Sequence, residues 1–91
     1  MKKYMIVLAT ADKKHLYIYH GKDKKGMPIF YGFLNYHNTK VYPRTFTSTK
    51  QADEVCNSIR DYLKATMYKS LNVELWTEEE VNNKIEELVN G

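Results

Sequence analysis

Between residues 4 and 46 the apolar positions come in short runs separated by polar turns, and after residue 48 they recur every three or four places. The first run, YMIVLA at Tyr4–Ala9, is rich in β-favouring residues. "TADKK" follows it with turn chemistry from Asp12, and residues 15–20 (HLYIYH) form a second extended run, so the chain opens as a hairpin. A polar loop bounded by Gly21 and Gly26 leads to a third run at 28–34, and "NYHNTK" turns the chain into a fourth at 41–46. Pro43 has no N–H to give a ladder, so the fourth run is an edge or is interrupted there. Successive extended runs with short connections predict an antiparallel meander of about four strands.

The period changes at "TFTSTKQADEVCNSI", residues 45–59. Ser48 with Gln51 three places on fits a capping box, and Phe46 just before it can close over the helix start. Ala52, Val55, Cys56, Ile59, Leu63 and Met67 then fall on one helical face, with Lys50, Asp53, Asn57, Arg60 and Lys64 elsewhere. The corner is therefore structural: it starts a long helix that covers one face of the sheet. After Ser70 the alternation of Leu71, Val73 and Leu75 with Asn72, Glu74 and Trp76 predicts a short strand that joins a sheet edge. Thr77 and Glu80 form a second capping box, with Glu78, Glu79 and Glu80 placed where a helix dipole favours acids. Val81, Ile85, Leu88 and Val89 give the closing helix its apolar stripe. The expected fold is α+β: the meander, the long helix on one face, and the short C-terminal helix beside it.

With 91 residues the chain predicts a single domain spanning 1–91 with one modest core. Its 43% hydrophobic and 27% charged residues are those of an ordinary globular protein. No apolar run approaches bilayer length, and the stretch from Tyr4 to Ala9 is too short for the apolar core of a signal peptide, so no membrane association is expected. One cysteine excludes an internal disulfide and fits a reducing, cytoplasmic setting.

Charge divides the chain. Residues 1–46 carry nine basic and two acidic residues, a net of +7, and residues 47–91 carry five basic and nine acidic residues, a net of −4. Lysine is abundant, as in AT-rich coding sequences, so its number alone says little about nucleic acid.

Catalytic patterns fail on chemical grounds. Gly21 and Gly26 have phosphate-loop spacing, but Met27 and Pro28 follow where that loop needs Lys and Ser or Thr, and a strand follows where it needs a helix. Cys56 lies on the apolar helix stripe, the usual place of a buried small hydrophobe. His15, His20 and His37 lack metal-ligand spacing, and the acidic cluster is explained by helix capping and solvation. Neither an enzyme nor a cofactor is expected.

What remains is a tyrosine-rich basic half. Alternation sends some of Tyr17, Tyr19, Tyr31, Tyr36 and Tyr42 to the sheet face away from the long helix, near Lys22, Lys24, Lys25 and Arg44. Those residues are the candidate binding set. Tyrosine with peripheral lysine suits a protein interface, and rings interleaved with lysine suit single-stranded nucleic acid. A half-buried sheet lined by tyrosine, as in a purely structural subunit, is the third reading. A protein partner is the preferred expectation, nucleic acid the alternative, and a homodimer is compatible with either.

The Lys-rich start, the "MKKYMIVL" strand, the hairpin and the strand running into "FTSTKQADEV" resemble small accessory proteins of phages and prophages of AT-rich Gram-positive bacteria, over roughly the first two-thirds of the chain. The resemblance implies a non-catalytic role, binding and modulating or inhibiting a host or defence protein. Anti-CRISPR proteins are one group that acts in this way.

Overall fold

The computed structural model describes residues 2–33, 43–66 and 70–90. Its elements are β1 (Tyr4–Ala9), β2 (Leu16–Lys22), β3 (Pro28–Gly32), β4 (Thr45–Phe46), α1 (Thr49–Lys64), β5 (Asn72–Thr77) and α2 (Glu78–Asn90). The α+β class, the opening hairpin and both helices are as the sequence predicts.

Strand β1 is the centre of a curled antiparallel sheet. β5 pairs with its whole length, from Tyr4 opposite Thr77 to Ala9 opposite Asn72. The other edge of β1 is shared: Val7–Ala9 pair with Ile18, Tyr17 and Leu16 of β2, and Tyr4 and Met5 pair with Phe46 and Thr45 of β4. β3 lies outside β2, with Ile18 opposite Tyr31.

The fourth strand is thus shorter than the expected run at 41–46 and, in its described part, lies against the first strand; residues 41 and 42 fall outside the described residues. The reason is local. The β2–β3 register shifts between Tyr19 and Lys22, where Gly21 takes φ +101°, so β2 bends away and frees the β1 edge. Thr45 and Phe46 fill that gap, and the Arg44 N–H donates to the Tyr19 carbonyl at 3.1 Å.

Apolar residues alternate on β1 with no polar residue between them, so both of its faces are buried. Ile6 and Leu8 join Tyr19, Phe46 and Val73 beneath Ala52, Cys56, Ile59 and Leu63 of α1. Met5, Val7 and Ala9 join Leu16, Ile18 and Phe33 in a second core closed by Val81, with Ile85 and Trp76 packed against it. α2 therefore covers the face opposite α1, which corrects the expectation that the two helices lie side by side. The cause is β1 itself: each fully buried aliphatic chain is worth about 1.5–3 kcal/mol, and the second row would otherwise meet water.

Both helix caps are in place, the second as a full reciprocal box and the first through the serine hydroxyl. Ser48, at φ −110° and ψ 121°, accepts the Gln51 N–H at 3.3 Å. Thr77 Oγ1 accepts the Glu80 N–H at 3.1 Å, and Glu80 Oε1 accepts the Thr77 N–H at 3.2 Å. Beyond Ile85 the stripe of α2 leaves the core: Leu88 is 40% and Val89 64% exposed. Met67 lies outside the described residues.

Candidate binding groove

The strands β2 and β3 extend beyond the part of the sheet that α1 covers. α1 packs on β1, β4 and β5, so a groove runs between this helix and the β2–β3 hairpin. It consists of two hollows with Pro28 and Tyr62 as common walls. One, of about 390 Å³, is lined by Tyr19, Lys22, Val55, Ile59 and Glu54. The other, of about 360 Å³, is lined by Leu8, Tyr17, Phe30, Leu63 and Leu71. Tyr17, Pro28, Phe30, Val55, Tyr62 and Leu71 are all half-buried, so each shows apolar surface to the groove.

Strand alternation builds the floor. Tyr17 and Tyr19 are two apart on β2 and share the α1 side with Phe30, opposite Tyr19 on β3. The Tyr19 and Phe30 rings stand 5.9 Å apart at 50°. Helix spacing builds the wall: Val55, Ser58, Ile59 and Tyr62 sit along one shoulder of α1.

The rim is the hairpin tip. The Asp23 carboxylate accepts the N–H groups of Lys25 at 2.8 Å and Met27 at 2.9 Å, and Gly26 at φ +82° closes the turn. The turn thereby holds Lys24 and Lys25 out in solvent beside exposed Lys22.

The tyrosines predicted from sequence do not make one outward platform. Tyr19 is 4% exposed and belongs to the α1 core, which removes it as a freely accessible contact residue. Burial also pushes its phenol pKa up, against the opposing charge of Arg44. Tyr17 lines the groove. Tyr31 is on the other face, edge-on to buried His20 with centroids 4.6 Å apart. Tyr36, Tyr42 and His37 lie outside the described residues. Lys22 reaches the groove, Lys24 and Lys25 stand on its rim, and Arg44 lies over the Phe46 ring at 5.4 Å.

Sequence reasoning missed Tyr62, Phe30, Pro28 and Leu71. The Val55–Tyr62 spacing of seven was a usable signal, since it places an aromatic ring on the shoulder of the apolar stripe. Cys56 is 1% exposed, and burial pushes its thiol pKa up. Among the described residues no three of His, Cys, Asp and Glu come together as metal ligands, and no helix is long and apolar enough to cross a membrane. Compared with known protein families, curated proteins and solved structures, the chain matches none of them.

Proposed function

We propose that this protein is a non-catalytic binding domain that takes apolar side chains of a protein partner into the groove between α1 and the β2–β3 hairpin. The observation that carries the reading is the half-buried aromatic lining of that groove, Tyr17, Phe30 and Tyr62. Such rings supply large contact area at low entropic cost and are enriched at protein interfaces. Lys22, Lys24 and Lys25 at the rim favour a partner with acidic residues around its anchoring side chain, and act mainly on the association rate. Blocking a host or defence protein by occupying it, the role implied by the resemblance to phage accessory proteins, is part of this proposal and rests on that resemblance.

The test is affinity capture from a host lysate, with and without nuclease, followed by binding measurements on the captured protein. Tyr62→Ser, at the wall shared by both hollows, should abolish binding while leaving the helical circular dichroism unchanged. Lys24→Glu with Lys25→Glu should slow association and leave dissociation nearly unchanged. Undiminished binding by the Tyr62 variant sinks the groove reading. Nuclease-sensitive capture that weakens steeply with salt would favour nucleic acid instead.

A further inference from the structure

The β1–β5 ladder reveals which backbone groups of β5 are left over. The Glu78 N–H donates to the Lys3 carbonyl at 2.8 Å, in line with a register that sets Tyr4 opposite Thr77. Hydrogen-bonded and non-hydrogen-bonded pairs alternate in an antiparallel ladder. Asn72, Glu74 and Trp76 therefore turn their N–H and C=O groups towards β1, and Val73, Leu75 and Thr77 turn theirs to the outer edge. Among the described residues no strand pairs with that edge.

Side chains nevertheless occupy both of its ends. Arg60 on α1 donates through Nη1 to Asn57 Oδ1 at 2.8 Å and through Nη2 to the Val73 carbonyl at 3.0 Å. Glu80 Oε1 takes the Thr77 N–H at 3.2 Å and its hydroxyl at 2.9 Å. The groups left between them are the N–H and C=O of Leu75, with the N–H of Val73 just beyond the Arg60 end.

An edge strand without a partner is a template for another chain, and NVELWT has no proline and only one charge to discourage pairing. The edge is also self-complementary. With a two-fold axis at Leu75, its N–H and C=O meet the same groups of a second copy. The next hydrogen-bonded pair joins the Val73 carbonyl to the Thr77 N–H of that copy. Those are the two groups that Arg60 and Glu80 hold. We infer that Arg60 and Glu80 are edge guards: they keep β5 from pairing antiparallel, through Leu75, with a second copy of this chain.

The inference is independent of the groove. Its test compares the intact chain with Arg60→Ala and with the Arg60→Ala/Glu80→Ala pair by sedimentation over a wide concentration range, alongside amide exchange. The intact chain should sediment as a monomer with fast exchange at Leu75. The variants should double in mass as concentration rises, with exchange at Val73 and Leu75 slowing in step, and Arg60→Lys, which restores one donor, should return towards the monomer. Alanine suits an exposed helix position, so Arg60→Ala carries the test by itself if the pair unfolds through loss of its cap. A folded Arg60→Ala chain that stays monomeric overturns the inference. So does a dimer whose Val73 and Leu75 amides exchange as fast as in the monomer.

Discussion

Cys56 and Asp12 show how position alone decides what a common side chain does. Cys56 sits under α1, where burial raises its pKa; the nearby Arg60 charge opposes this. A raised acid stabilises the fold fully below its ordinary pKa and loses that contribution as pH rises through the raised value. Denaturant melts should therefore show stability falling on the alkaline side, in the same direction as buried Tyr19. Native protein should react with a thiol reagent far more slowly than unfolded protein; equal rates would mean that the α1 face is wrongly assigned. Asp12 has the opposite sign. The Thr10 hydroxyl at 2.6 Å and the Lys14 N–H at 3.0 Å hold its carboxylate below the ordinary range. Its contribution is present above the ordinary carboxylate pKa and is lost as pH falls through the lowered value, and a side-chain carboxyl titration by NMR should find Asp12 below the ordinary aspartate value.

At the scale of elements, caps and stripes differ in how far sequence alone carries them. Ser48→Ala removes an acceptor at the α1 start and should cost about 1 kcal/mol in a denaturant melt. Ile59→Ala, in the α1 core, should cost roughly 2–5 kcal/mol. Val89→Ala, on what the sequence presents as the same kind of stripe, should change stability by less than about 0.5 kcal/mol, because its side chain is exposed. A large loss at Val89 would show that the end of α2 is packed. Both helix caps were legible because their residues sit within one helical turn. The reach of the α2 stripe was not, since periodicity marks a face without saying how much of it finds a partner.

The whole molecule is a sheet with a helix on each face, so each layer should be needed. Deleting residues 78–91 would expose Met5, Val7, Leu16 and Ile18, all buried in the second core. The shortened chain should lose cooperative melting or aggregate; an unchanged melting transition would show that α2 is no structural layer. The uninterrupted run YMIVLA was the sequence's sign of this arrangement, because a strand buried on both faces has no polar alternation. Its β character was readable without the structure. Its consequence for α2 needed the second face to be seen.

By itself, then, the sequence determined the class of fold, the opening hairpin, the helix starts, the alternation of β5 and the buried place of Cys56. Each depends on contacts between residues close along the chain, or on a periodicity that any partner would satisfy. The tertiary structure decided the rest: that Thr45 and Phe46 take the β1 edge where β2 bends away at Gly21, that the helices lie on opposite faces, and that Tyr19 is core while Tyr62 and Phe30 line a groove. These outcomes depend on which distant elements compete for the same edge or face. Local pattern assigns a side chain to a face, and only the packing of the other elements decides whether that face stays open.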